Sequence, residues 1–379
     1  MPIKVLIISF WNPVEGKPQQ GIFIQDQAIA VCRLRNDLLF VQVNILPSQS
    51  LFLKTDISDS EFYGNRKLVI SFRSFFWKIL FITPWLISKM ILKIIEEKYP
   101  GIQPSLIHSN VIFPCGFAGY YLSLKTRSKL IISEHWSKSE NFLNKPITGR
   151  TAIKIYKKNL AVICVSEFLA EKIRKSTGHK NVIVIPNIVD TEIFSYVPKP
   201  EKENRPVVFT CVASWKKPKR LDLLIESLSE YAEKSAVRLT LNVVGNGHQA
   251  EFYKKHPVPA NLAITWHGYL AKTDIAKILQ KTDVFLHASD TETFSIVTAE
   301  ALSTGTPAIV SNKGALPELI HERNGLLAEN NTGSWIKKIG EIINKEFNYK
   351  ELSGENQERF SPGTIGSHLN EIYNKALTD

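Results

Sequence analysis

Cysteine is scarce and scattered in this chain: Cys32, Cys115, Cys164 and Cys211 are the four present, and no two stand in C-x-x-C spacing. That argues against a disulfide framework or a zinc site and makes a reducing cytosol the simplest home, with each thiol packed as a small apolar side chain. Long hydrophobic runs are missing too, since no window reaches the roughly 18 uninterrupted apolar residues of a membrane-crossing helix. The opening stretch, Met1 to Phe10, holds only a short apolar run, with Lys4 as the one charge before it and no small-residue cleavage site after it. It reads as a buried first strand rather than a secretion signal. Neither internal repeats nor a low-complexity tract occurs.

Acidic residues are the other shortage. Lys and Arg outnumber Asp and Glu by 47 to 36, a formal charge of +11. The imbalance concentrates between Arg66 and Ile95, where Arg66, Lys67, Arg73, Lys78, Lys89 and Lys93 stand with no acid among them. Phe72, Phe75, Phe76, Trp77, Phe81 and Trp85 are interleaved with them. Basic plus aromatic is the composition of an amphipathic helix lying on an anionic membrane surface. Nucleic-acid binding draws on the same residue types, but no recognised motif accompanies them and no nucleic-acid partner is expected. The plain alternative is aromatic core with solvated lysines.

What the chain does have is alternation. At 379 residues it is long enough for two domains, and 44% hydrophobic with 22% charged residues is ordinary globular composition. Strand-like runs at 5–10, 39–45, 68–71, 106–108, 130–133, 162–165 and 182–185 alternate with helical patterns such as 24–35, 117–125 and 167–176. The same rhythm returns with runs at 207–212, 238–244, 264–267, 284–287 and 307–310. Alternating β and α predicts an α/β fold of parallel sheets covered on both faces. Tyr196 to Pro206 is rich in Pro and charge and reads as a linker. The expected division is therefore 1–195, a linker at 196–206, 207–355, and a C-terminal tail at 356–379.

The densest chemistry lies in Ser289-Asp-Thr-Glu-Thr-Phe-Ser-Ile-Val-Thr-Ala-Glu-Ala301, with Glu292 and Glu300 eight residues apart. A strand, a polar loop and a helix start follow one another here. Such a junction binds anions, because the first-turn N–H groups of a helix are unpaired and point outward. Amides of Thr293, Phe294, Ser295, Ile296 and Val297 suit a diphosphate, Glu292 a group beyond it, and Glu300 a diol such as ribose. The alternative is an amphipathic helix carrying two solvated carboxylates.

With Ser289, Phe294, Ala301, Gly305-x-Pro307, Pro317-Glu318 and Asn324-Gly325 around it, this segment resembles the E-x7-E signature of the retaining GT-B glycosyltransferases of family 4. The resemblance implies two doubly wound Rossmann-like domains facing across a cleft. It further implies that the last helix, within Phe360 to Leu377, crosses back onto the first domain. A nucleotide-sugar donor would lie on the second domain and an acceptor on the first.

Further motifs extend the likeness from about residue 5 to residue 377. Cys211-Val-Ala-Ser-Trp-Lys-Lys-Pro-Lys-Arg-Leu221 is similar to the family segment whose Arg and Lys neutralise the diphosphate. Lys219 matches the Lys, Ser214 stands where the Arg is usual, and Lys216 is positioned to replace the missing cation. Val243-Val-Gly-Asn-Gly247 resembles the glycine loop beside the nucleotide, which gives Gly245 a donor-binding role. Trp266-His-Gly-Tyr269 resembles the segment that reads the base, involving Gly268 and Tyr269; His267 reads as a structural strand-end residue. In the first half, Trp11 to Gln27 resembles the loop that closes over the donor, with Gly21 as its close-approach glycine. Ser133-Glu-His-Trp-Ser137 resembles the segment whose strand-end histidine, here His135, lies near the transferred sugar. His108-Ser-Asn110 stands where relatives often have H-x-H, and Ile188 replaces a usual glycine.

The implied reaction moves a sugar from a nucleotide diphosphate to an acceptor hydroxyl with retained configuration, His135, Lys219 and Glu292 being catalytic. Preplaced cations and amides stabilise the leaving diphosphate. No D-x-D occurs, so no metal and no cofactor is expected. The acceptor expected is a glycan or polyprenyl-linked glycan of bacterial surface polysaccharide assembly, handled in the cytoplasm or peripherally on the inner face of the plasma membrane. A nucleotide-sugar epimerase, a sugar phosphorylase and a degenerate glycan-binding subunit share the architecture. Ser214 favours the last of these.

Overall fold

The computed structural model describes residues 3–14, 16, 20–137, 139–199 and 205–378. The chain forms two compact units, Met1–Ile188 with Pro362–Asp379, and Val189–Ser361.

The first unit is built on eight strands: β1 (Val5–Ser9), β2 (Leu38–Pro47), β3 (Lys54–Phe62), β4 (Asn65–Ser74), β5 (Leu106–Asn110), β6 (Lys129–Glu134), β7 (Ala161–Cys164) and β8 (Val182–Val184). Their order in the sheet is β3-β4-β2-β1-β5-β6-β7-β8. β1 is buried at every position and pairs in parallel with both β2 and β5. An unbroken apolar run is what a strand covered on both faces requires.

β3 is the strand that the sequence pattern does not reveal. Its residues KTDISDSEF are almost all exposed, so no apolar face marks it. It is an edge strand running antiparallel to β4, and edge strands carry charge to discourage pairing with other chains. Two of those charges matter beyond β3, because Asp59 pairs with Arg66 at 2.6 Å and Asp56 with Arg73 at 3.0 Å.

The basic aromatic segment 66–95 is therefore not one helix. Arg66 to Ser74 continue β4, whose Leu68, Ile70, Phe72 and Ser74 alternate inward with period two. The helices Trp77–Ile82 and Pro84–Lys98 follow, the second opened by Pro84, whose fixed φ suits a first helical turn. Among the described residues no helix is long and apolar enough to cross a membrane.

The second unit holds β9 (Val207–Val212), β10 (Leu239–Val244), β11 (Leu262–Gly268), β12 (Val284–His287), β13 (Ala308–Ser311) and β14 (Gly325–Ala328) in the order β11-β10-β9-β12-β13-β14. Every neighbouring pair is parallel. Phe209, Leu224, Leu241, Leu286 and Trp335 are among the side chains of its core.

The last helix, Pro362–Thr378, belongs to the first unit. Ile365, Leu369, Tyr373 and Ala376 form its buried stripe, at the spacing of one helical face. A side chain at position 366 would run into the Ala30 carbonyl of the helix Ile22–Cys32, so glycine there lets the two helices meet. The units part at Ile188/Val189 and Ser361/Pro362, whereas the sequence placed the breaks at 195 and 355. Residues 189–195 are tied to the second unit by Val189 N–H to the Phe360 carbonyl at 2.9 Å and by Gln280 Nε2 to the Ser195 carbonyl at 3.0 Å, and side chains of the proline-rich stretch itself follow them. Lys199 buries its ammonium against the Leu279 carbonyl (3.1 Å), the Thr282 carbonyl (2.8 Å) and Thr306 Oγ1 (2.7 Å). Arg205 grips both oxygens of Asp283 at 2.7 and 2.8 Å. Both sides of the expected linker are thus tied to the second unit; residues 200–204 within it lie outside the described residues.

Candidate active site

In the second unit the strand order reverses between β9 and β12: the chain runs outward through β10 and β11 on one side and through β13 and β14 on the other. Open parallel sheets bind ligands at such a point, beyond the carboxyl ends of the strands. Two loops leave the sheet there, 213–220 after β9 and 288–295 after β12. They are stitched together by Arg220 N–H to the Ala288 carbonyl at 3.0 Å and by Asp290 N–H to the Pro218 carbonyl at 2.9 Å.

That stitching lays Lys219 across the end of β12. Its ammonium contacts the Glu292 carboxylate and lies 3.5 Å from His287 Nε2. His287 Nε2 is 2.7 Å from the same Glu292 oxygen. Burial, and after it the Lys219 charge, hold the His287 pKa well below its usual value. The ring is therefore neutral and donates from Nε2 to Glu292. Burial also lowers the Lys219 ammonium to about 8. At neutral pH it stays charged against Glu292 and available to a more strongly anionic partner.

Gly314 fixes the backbone of Glu292. Its φ of +60° suits glycine, and a Cβ there would collide with the main chain of Glu292. The next residue, Ala315, donates its N–H to the Glu292 carbonyl at 3.0 Å. Three residues after Glu292, Ser295 adopts φ 80° and opens the helix Ile296–Ser303, whose N-terminus has no side-chain cap. Its leading amides thus lack the usual internal partner, and the macrodipole favours an anion. Gly245 completes the floor: it donates to the Gly268 carbonyl at 2.6 Å, and its φ of +99° sets it where a Cβ would strike the Ala213 carbonyl. Among the described residues no cluster of three His, Cys, Asp or Glu side chains could hold a metal ion.

Residues 192–361 match the model of the family described as glycosyl transferases group 1, and residues 50–193 that of glycosyltransferase family 4. The chain belongs to the family 4 glycosyltransferases. It is 23% identical over 351 residues to TuaC of Bacillus subtilis, a glycosyltransferase assigned to teichuronic acid biosynthesis, covering 86% of this chain and 85% of that one. It is 26% identical over 223 residues to a subunit of the Arabidopsis thaliana phosphatidylinositol N-acetylglucosaminyltransferase, covering 57% of this chain but only 49% of the relative, about half its length. Among solved structures, sucrose-phosphate synthase from Thermosynechococcus elongatus superposes with a TM-score of 0.76 at 16% identity, over 99% of each chain. That likeness shows the GT-B fold.

Within this glycosyltransferase the expected donor residues fall into distinct groups. Lys219, Glu292 and the amides of 293–297 converge at the reversal point. Ser214 and Lys216 are exposed in the β9 loop, and Tyr269 is exposed after β11. Glu300 is buried in the second helical turn, which removes the solvated-helix alternative for it. The ring of Phe294 is buried edge-on against Phe360 at 5.6 Å, so it is the amide expected for the diphosphate, not the ring, that the residue can offer.

His135 and Gly21 lie in the first unit. Gly21 precedes the helix Ile22–Cys32 and sits against the Trp11 carbonyl; residues 15 and 17–19 of the expected closing loop lie outside the described residues. His135 is buried beside Phe23, ring centres 4.6 Å apart. Burial, and then His108, hold it neutral with a pKa of about 3, opposed by the side chain of Asn187. His108, by contrast, is structural: Nδ1 bonds the Tyr373 hydroxyl at 2.5 Å and Nε2 the Ser133 hydroxyl at 2.7 Å.

Three contributors escaped the sequence reading. Glu134 is fully buried and accepts the N–H groups of His135 (3.0 Å), Trp136 (2.9 Å) and Ile112 (3.1 Å) and the Tyr156 hydroxyl (2.6 Å). Burial raises its pKa while those four donors oppose the rise. His287 and Gly314 are the others. His287 carries one legible signal, a polar residue ending an otherwise apolar strand, whereas Glu134 ends a strand that also holds Lys129 and Ser133.

Proposed function

We propose that this chain transfers a sugar from a nucleotide diphosphate sugar to an acceptor hydroxyl with retention of configuration and without a metal ion. The observation that carries the reading is the contact of Lys219 with Glu292 and His287 beside an uncapped helix start. A departing nucleoside diphosphate gains negative charge, and an ammonium and amides already in place stabilise it without reorganisation. Glu292, held by Gly314 and His287, is positioned to orient the sugar as the diphosphate takes its place at Lys219. Glu300 is assigned to the ribose and the neutral His135 to the sugar. In a front-side displacement the leaving phosphate oxygen takes the acceptor proton, so no separate general base is needed.

The acceptor we infer is a glycan or a polyprenyl-linked glycan of bacterial surface polysaccharide assembly, handled by a cytoplasmic protein resting on the inner face of the plasma membrane. The likeness to TuaC supports that setting. The degenerate-subunit reading draws support from Ser214, where the family carries Arg, and loses it to Lys216, which is exposed in the same turn. Thermal shifts with UDP, GDP and ADP in EDTA test the proposal. A ligand at about 100 times its Kd adds roughly 2.7 kcal/mol of stability. One nucleotide stabilising the protein, followed by turnover of its sugars with retained configuration, supports the transferase; the absence of any shift supports the binding subunit.

A further inference from the structure

An apolar ridge runs along one edge of the first unit. Leu51 and Phe52 stand in the loop between β2 and β3, Phe75 and Phe76 follow β4, and Ile82 and Trp85 belong to the two helices after them. Phe52 is 83% exposed and Ile82 66%. The loop is bound to the end of β4 by Ser48 N–H to the Ser74 carbonyl at 3.2 Å and Phe75 N–H to the Ser50 carbonyl at 2.8 Å, which brings Leu51 and Phe52 beside Phe75 and Phe76; the helices that carry Ile82 and Trp85 follow directly in the chain. Apolar patches of this kind on soluble proteins mark interaction sites.

Behind the ridge lies a cavity of about 930 Å³, lined by Trp11, Ile45, Leu46, Trp77 and Phe81, with Arg73 at its polar side. A smaller hollow of about 500 Å³ shares Pro47 and Trp77 with it and is walled by Phe75, so cavity and ridge are continuous. The cavity sits beyond the ends of β1, β2 and β4, the side of the sheet where ligands collect.

The charges around the ridge indicate what covers it. Arg66 and Arg73 are offset by Asp59 and Asp56 of β3. Lys78 and Lys89 remain beside the ridge, each with its ammonium near a tryptophan, 5.8 Å from the Trp77 ring centre and 5.2 Å from that of Trp85. Lys93 pairs with Glu97 at 3.8 Å, whereas among the described residues no ion pair joins Lys78 or Lys89 to an acid. A two-fold contact with a second copy would set these lysines against each other. An anionic bilayer accepts the apolar side chains, the interfacial tryptophans and the lysines together.

We propose that the ridge docks on an anionic lipid bilayer and that the cavity behind it receives the hydrocarbon of a lipid-phosphate acceptor entering from that bilayer. The docking stands on the ridge alone; naming the acceptor class rests on the transferase reading. Co-sedimentation of the full chain with phosphatidylglycerol-containing vesicles and with pure phosphatidylcholine vesicles tests the first part, and binding of radiolabelled farnesyl phosphate the second. The chain should bind the anionic vesicles at least tenfold more tightly than the neutral ones. Phe52→Ser with Ile82→Ser, and separately Lys78→Glu with Lys89→Glu, should each weaken that binding at least tenfold at unchanged melting temperature. Leu46→Trp, which fills the cavity and spares the ridge, should keep vesicle binding and weaken farnesyl phosphate at least tenfold. Vesicle binding untouched by the ridge variants overturns the docking. So does a dimer that they dissociate in the absence of any vesicle binding, which would make a second copy the occupant. Farnesyl phosphate binding untouched by Leu46→Trp overturns the cavity assignment. Nucleotide binding measured on the same preparation separates the two readings: retained with no vesicle binding, it sinks this proposal and leaves the transferase standing.

Discussion

The two units place polar side chains at the same kind of position, the carboxyl ends of parallel strands, and treat them in opposite ways. In the second unit Lys219 and Glu292 keep 21% and 14% of their side-chain surface and meet through a charge contact. In the first, His108, Glu134 and His135 are buried and held among hydrogen-bonding or aromatic neighbours. Burial brings the Lys219 ammonium down to about 8 beside Glu292 in the second unit and holds His108 and His135 of the first, like His287 of the second, far below their usual value. One strand-end geometry thus yields a partly open charged pair in one unit and a fully buried, hydrogen-bonded wall in the other. On the proposed reading the first kind suits a diphosphate whose charge changes during reaction, and the second an acceptor to be positioned.

The contrast is broken most sharply by removing its charge. Lys219→Ala should lower turnover by about 10² to 10³, or 2.7–4 kcal/mol, the range for loss of one preorganised donor to a developing anion. It should leave the melting temperature nearly unchanged; steady-state kinetics with the preferred donor check this. Glu134→Gln should do the reverse. An amide cannot accept all four donors that the carboxylate accepts, so about 1–3 kcal/mol of stability should be lost while nucleotide affinity holds. Denaturant unfolding and nucleotide titration on one sample decide it. Glu292→Ala should cost at least about tenfold in turnover, or 1.4 kcal/mol, and undiminished turnover would remove its role. Gly314→Ala should combine both defects, since its strain of about 1–3 kcal/mol is relieved only by moving Glu292.

pH acts on both units. Lys219 loses its proton near 8 in the folded chain, and a bound diphosphate raises that value. Nucleotide affinity should therefore fall, by up to tenfold per unit, as pH rises through about 8, with a proton taken up on binding; calorimetry in two buffers detects it. His108 titrates near 3 when folded and near 6.5 when free. The unfolded chain then binds the extra proton below 6.5, so stability is complete above that pH and is lost as pH falls toward 3. His108→Gln should flatten that fall.

Much of this could be read in the residues themselves. Alternating apolar runs gave the parallel sheets, and the strand–loop–helix at Val284–Ser303 placed Glu292, Glu300 and the helix amides in a single element. What could not be read is set by tertiary contact. β3 carries no apolar face, because it stands at the edge of the sheet with β4 on one side. The arginines at 66 and 73 looked like surface charge until β3 supplied their acids. His287 and Gly314 gain meaning only where three loops meet, at sequence distances that no local pattern spans. Segment 66–95 showed composition without register, so a strand and two helices were hidden in one basic aromatic stretch.

Calorimetric titration of UDP, GDP and ADP into the EDTA-treated wild type and Lys219→Ala tests the central claim most directly, that a metal-free diphosphate site is built on Lys219. The account predicts that one nucleotide binds the wild type without metal and at least tenfold more weakly to the variant. Binding that requires magnesium, or that is equally tight in both proteins, would contradict it.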